Sequence, residues 1–181
     1  MSAGKSRRAL RRGGVVAAIV AASMFAAVSS ASAYSWTVSM TAAQQCASGL
    51  PCDTGASGTA NIYTGSNANQ LCGTFSWTGI HGAVGFGHIH QAEAGKPENV
   101  AFTINLFGPP TSTAGFPSPT TGCTVVPQQV QAVMAKYPEE FMTTIHTTAY
   151  PGGAIRGQLG SGRLICQVAP GLCPGPLVGT Y

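Results

Sequence analysis

Ser35-Trp36-Thr37-Val38-Ser39-Met40 alternates polar with apolar residues along its whole length. A period of two is the signature of a half-buried β-strand. Outward from it, short runs of the same character recur at 58–63, 73–78, 86–90, 100–107, 141–148 and 154–159. Gly, Pro, Ser, Thr and Asn separate them, and the turn-rich Gly65-Ser66-Asn67-Ala68-Asn69 joins the second run to the third. Spacing and turn chemistry predict an all-β fold, an antiparallel immunoglobulin-like or Greek-key β-sandwich or barrel. No internal repeat is present, and one domain accounts for the length.

Two stretches break the strand pattern. Residues 108–122 hold four prolines among Ser, Thr and Gly, and read as a long surface loop. Residues 127–137 are the one helix expected: Val130, Val133, Met134 and Tyr137 fall at i, i+3, i+4 and i+7. Pro127 suits a first helical turn, and Pro138 ends the helix. The tail after Pro170 is Gly/Pro-rich and expected to be extended.

Residues 1–33 read as an export signal rather than structure. A basic segment, Lys5 to Arg12, precedes an apolar stretch of about 14 residues and the triplet Ala31-Ser32-Ala33. The apolar stretch is shorter than the roughly 20 residues a spanning helix needs. Ser6-Arg7-Arg8 only partly fits a twin-arginine signal, so the general secretory route is expected. The organisation predicted is a signal at 1–33, a β-domain at 34–165 and a tail at 166–181. The mature chain is expected to work outside the cytoplasm, with no membrane span.

Composition supports that reading. Five of the nine Lys/Arg residues lie in the first twelve positions; from Tyr34 onward four basic residues face five acidic ones. The body carries no basic patch for phosphate neutralisation, which excludes a nucleic-acid binder of that kind. Six cysteines, Cys46, Cys52, Cys72, Cys123, Cys166 and Cys173, lie after the signal, and an even count in an exported chain reads as disulfides. Fifteen pairings are open; proximity favours Cys46 with Cys52 and Cys166 with Cys173, leaving Cys72 with Cys123. No CxxC supports a thiolate zinc site.

The sharpest chemical feature is His88-Ile89-His90. On a strand, residues i and i+2 share a face about 7 Å apart, so two imidazoles can converge on one ion while Ile89 faces the core. His146 stands in the same phase within Thr144-Ile145-His146-Thr147 and offers a third donor; His81 is the weakest member. An all-imidazole set suits copper or zinc. The competing reading gives these histidines a purely structural, hydrogen-bonding role.

Gly85-Phe86-Gly87-His88-Ile89-His90, followed by Val100-Ala101-Phe102-Thr103-Ile104-Asn105-Leu106, resembles the first signature of the CHRD (chordin-type) domain family. The stretch from Ile145 to Leu159, with Tyr150-Pro151-Gly152-Gly153-Ala154-Ile155-Arg156-Gly157-Gln158, resembles the second. The likeness runs from Ser35 to Leu159 and makes the chain look like a secreted bacterial member. It implies an immunoglobulin-like or barrel-like fold and attaches no agreed biochemical activity. It maps family positions onto His88, His90, His146, Thr147, Gly153, Arg156, Gly157 and Gln158. Ala154 departs from it, standing where the family usually has Glu, so Arg156 must find another acceptor.

No catalytic constellation accompanies these motifs. Asp53 is the sole aspartate, which leaves neither a dismutase-like zinc ligand nor a Ser-His-Asp triad, and no GxSxG is present. Glu93, Glu98, Glu139 and Glu140 fall in loop or helix-end contexts and read as solvated. Gly85-Phe86-Gly87 reads as a bulge rather than a nucleotide loop. The chain is therefore expected to be a non-enzymatic binding or structural module contacting a protein or glycan, with copper or zinc binding through His88, His90 and His146 as the alternative.

Overall fold

A computed structural model describes residues 33–160 and 175–181. The rest of the expected leader, Cys166 and Cys173 lie outside the described residues. Strand β1 (Ser35–Thr41) runs into a short helix α1 (Ala42–Cys46), and β2 (Ser57–Thr64), β3 (Gln70–Thr78), β4 (Val84–Gln91), β5 (Asn99–Phe107) and β6 (Thr120–Val125) follow. Helix α2 (Gln128–Lys136) and one 3-10 turn (Pro138–Glu140) precede β7 (Phe141–Thr147), β8 (Ile155–Gln158) and β9 (Gly179–Thr180).

Among the described residues nine strands join one sheet in the order β6-β3-β2-β1-β8-β7-β4-β5-β9, antiparallel except where β9 lies parallel to β5. The all-β expectation holds, and the architecture is the barrel-like one: a single sheet curls into a half-barrel. Phe107 of β5 meets Phe75 and Trp77 of β3 across the interior, with ring centroids 5.1 and 6.1 Å apart. The inward residues of the alternating strands form the core, among them Val38, Met40, Ala60, Ile62, Ile89, Ile104, Ile145 and Ile155.

Three elements differ from the sequence reading. The loop expected at 108–122 ends early, because Thr120–Val125 pairs with β3 as an edge strand. Helix α1 begins where the Thr41 hydroxyl accepts the Gln44 N–H at 3.2 Å, a short-range cap that an apolar-period search passes over. The tail contributes Gly179–Thr180 to the sheet, and Tyr181 exchanges backbone hydrogen bonds with Thr103 and Asn105. Helix α2 falls where predicted, with Pro127 at its N-cap rather than inside the first turn. Its fully buried Gln131 donates to the carbonyls of Ala68 and Val126, at 2.9 Å each, and so ties the helix to the β2–β3 turn.

Among the described residues no helix is long and apolar enough to cross a membrane. Disulfides join Cys46 to Cys52 and Cys72 to Cys123. The second staples edge strand β6 to β3 across a sequence separation of 51. Replacing both Cys72 and Cys123 with Ala should cost about 4 kcal/mol by loop-closure entropy. Thermal unfolding should then shift down by about 10 °C. An unchanged midpoint would mean that strand pairing alone holds β6.

Candidate functional site

The centre of the sheet sets up the site. Strand β4 lies between β7 and β5, in register His88↔Thr144 and His90↔Met142 on one side and His88↔Asn105 and His90↔Thr103 on the other. Register shifts relative to β5 fall between Gly87 and His88 and between His90 and Gln91, so a bulge flanks the His-Ile-His segment at each end. The expectation that Gly85-Phe86-Gly87 marks a bulge agrees with this. His146 of β7 pairs with Phe86, which places it diagonally across from His88 on the same face.

The three imidazoles meet there. His88, His90 and His146 are only 5%, 3% and 3% exposed, although a strand's polar face would ordinarily meet water. The His88 ring centroid lies 4.2 Å from that of His90 and 4.4 Å from that of His146. Phe86 stacks on the outer side of His146, at 4.3 Å between centroids.

Hydrogen bonds fix which nitrogen carries each proton. His146 Nδ1 lies 2.9 Å from the Pro151 carbonyl oxygen, which can only accept, so Nδ1 bears the hydrogen and Nε2 is bare. His90 Nδ1 lies 2.7 Å from the Phe102 carbonyl, so it too bears a hydrogen. His88 Nε2 is 2.7 Å from His146 Nε2, so His88 donates the proton in that contact. His88 Nδ1 is then a buried acceptor with no partner.

The second signature assembles the surroundings. The Thr147 hydroxyl accepts the Tyr150 N–H at 3.0 Å and shapes the turn that delivers the Pro151 carbonyl to His146. Gly153 closes that turn at φ 113°, where a side chain would be strained and would also meet Gln45 and Thr144. At Gly157 a Cβ would collide with the Ser39 carbonyl, so β8 can approach β1 only without a side chain there. Arg156, 1% exposed, donates to the carbonyls of Lys96 at 2.8 Å and Glu93 at 3.0 Å, so its acceptors are backbone oxygens. Gln158 donates to the carbonyls of Ala92 and Glu139. Both side chains clamp the β4–β5 loop over the imidazole face.

Other expected members fall elsewhere. His81 is 74% exposed and stands apart; its Nδ1 and backbone N–H bond the buried Asp53 carboxylate at 2.8 and 2.6 Å. The four glutamates are not uniformly solvated. Glu139 and Glu140 are buried at the foot of β7, and the Glu98 side chain is 13% exposed with Oε1 4.0 Å from His90 Nε2. The flanking Gly95-Lys96-Pro97 disguised Glu98 as a loop carboxylate, but the loop is held in by hydrogen bonds from Arg156 and Gln158.

Burial governs the electrostatics. It holds the His88 imidazole well below the ordinary histidine range, with neighbouring His146 and His90 acting in the same direction. Burial also lowers His146 to about 4, against the opposing hydrogen bond to Pro151. Burial raises the carboxyl of Glu98, opposed by His90 and Arg156. Among the described residues, no group of three or more His, Cys, Asp or Glu side chains is placed to hold a metal ion.

Because His146 titrates lower in the fold than in the unfolded chain, the unfolded chain binds the extra proton between pH 6.5 and about 4. Stability of the metal-free protein therefore falls as pH falls through that window, by on the order of 3 kcal/mol for this group. Glu98 and Glu140 titrate high in the fold and act in the opposite sense. The comparison is thus made against His146→Gln in denaturant unfolding at the two ends of the window. The wild-type chain should lose more stability; equal losses would show that His146 charges within the fold.

The comparisons with known proteins agree with this architecture. No curated protein and no solved structure gives a significant match. The family model for the CHRD domain matches residues 36–159, from β1 to the end of the Arg156 block, and so takes in every residue of the imidazole site. The chain belongs to the CHRD domain family.

Proposed function

We propose that this CHRD-domain protein is an exported, non-enzymatic binding module whose ligand is a copper or zinc ion held by His88, His90 and His146. The observation that carries the reading is the tautomer pattern. Two buried imidazoles have their Nδ1–H groups pinned to backbone carbonyls, which leaves Nε2 as the nitrogen of each ring able to ligate. That outer support is what orients ligating histidines in metal sites. The third, His88, shares its Nε2 proton with His146 at 2.7 Å, and a cation can displace that proton. With metal–nitrogen bonds of 2.0–2.1 Å, tetrahedral donors stand about 3.3 Å apart, so His88 and His146 would need to open by about half an ångström.

A binding role fits the enclosure better than catalysis. At 3–5% exposure the imidazoles admit an ion but not an organic substrate. A cleft of about 260 Å³, lined by Phe86, Thr111–Thr113, Thr147, Thr148 and Pro151, ends against the two residues that cover His146 and supplies a way in. The disulfides fit an extracytoplasmic location. On the β5 side the sheet edge is occupied by β9, which leaves less of it open to a protein or glycan partner.

Metal analysis of the purified protein, then calorimetric titration with Cu(II) and Zn(II), tests the reading. Uptake of one ion per chain tighter than micromolar is expected, and His88→Ala with His90→Ala should abolish it while circular dichroism still reports the β-fold. Absence of uptake below the micromolar range would make the histidines scaffold and return the search to protein and glycan partners.

A further inference from the structure

We infer that the outer face of β1, β2, β3 and β6 is a docking surface for a neutral, extended polysaccharide, separate from the imidazole centre and independent of the metal-binding reading. These four strands contain no Asp, Glu, Lys, Arg or His. A solvated surface ordinarily carries about a quarter to a third charged residues. Strand pairing sets the outward residues in rows. Ser39 lies opposite Thr59, and Thr59 opposite Ser76. In the next row Thr37, Asn61, Thr74 and Thr121 follow one another in the same way. The alternate residues, Val38, Ala60, Ile62 and Phe75 among them, fill the core, and the rows are partly or fully exposed.

Neighbouring strands stand about 4.8 Å apart and alternate residues about 6.7 Å, so the face is a regular lattice of short polar groups. Threonine on a strand has few rotamers to lose, which keeps the ordering cost of a contact small. The Thr37 hydroxyl donates to Asn61 Oδ1 at 3.0 Å, and the Thr74 and Thr121 hydroxyls share a hydrogen bond of 2.9 Å. A hydroxyl has one donor and two acceptor sites, so each keeps capacity for a partner. Two shallow hollows shape the surface. One of about 510 Å³ lies over Ser39, Thr59, Ser76 and Thr78 and is walled by Ser118 and Pro119. The other, of about 520 Å³, begins at Thr37 and Ser39 and runs to Gln158 and Leu159. They adjoin at Ser39, which makes a path across the strands rather than a closed pocket.

Charge selects the partner. A nucleic acid or other polyanion needs Lys or Arg, and a polycation needs carboxylates; these strands have neither. A protein interface is built round aromatic or aliphatic anchors, whereas the centre of this face is Ser, Thr and Asn. A neutral sugar chain presents hydroxyls at short, regular intervals and can follow the path. Tyr63, half-buried at the end of β2 and paired with Ser35 and Cys72, adds an aromatic ring for the C–H face of a sugar.

The test measures depletion of the whole protein from solution by microcrystalline cellulose and by chitin, with polygalacturonate as an anionic counterpart. Retention on at least one neutral polymer, unchanged by added salt, is expected. Thr59→Val removes one hydroxyl and keeps the side-chain shape, and should weaken retention about fivefold, the worth of one hydrogen bond. Thr59→Glu sets a charge at the centre of the face and should weaken it more than about tenfold. Thermal unfolding of both variants separates loss of binding from loss of fold, and metal uptake should be the same as in the wild-type chain, so the two sites fail separately. No retention on either neutral polymer, or equal retention by wild type and both variants, would overturn the inference. So would a preference for polygalacturonate that salt abolishes. A wild-type dimer that Thr59→Glu converts to monomer would assign the face to a second copy of the chain instead.

Discussion

The central strands β4 and β7 are covered on both faces, and the rest of the structure answers to that constraint. One face carries Ile89 and Ile145 into the apolar core, which costs nothing in unpaired polar groups. The other carries His88, His90, Thr144 and His146, all nearly inaccessible. Each buried polar group left without a partner costs about 1–3 kcal/mol. The cover over that face is therefore made of acceptors: the Pro151 carbonyl on one side and the Phe102 carbonyl on the other. Turn geometry at Thr147 and Gly153 and the bulges around His88-Ile89-His90 exist to put those carbonyls in line.

The sequence shows the half of this that depends on periodicity. Alternation from Ser35 to Met40 and through residues 141–147 locates strands, and the His-Ile-His phase puts two imidazoles on one face. It does not show that the face is covered, because the cover comes from segments without a period. Thr120–Val125 looked like the end of a loop, yet Cys72 and Cys123 join it to β3. Glu98 sits after Gly95-Lys96-Pro97, a composition that normally means solvent, and its burial depends on hydrogen bonds from Arg156, some 60 residues away. Tautomers are equally invisible, since they depend on which backbone carbonyl arrives opposite each ring. The pairing of Cys166 and Cys173 and the leader fall outside the described residues.

The departure at Ala154 ties these observations together. Residue 154 lies in the bend just ahead of β8, two positions before Arg156. Here that position is a fully buried alanine. The guanidinium instead spends its hydrogens on loop carbonyls, and burial pulls its pKa below the ordinary arginine value while Glu98 opposes the change. Glu98, on the loop that those bonds hold, lies within electrostatic reach of both Arg156 and His90, which couples the clamp to the imidazoles at the centre of the sheet.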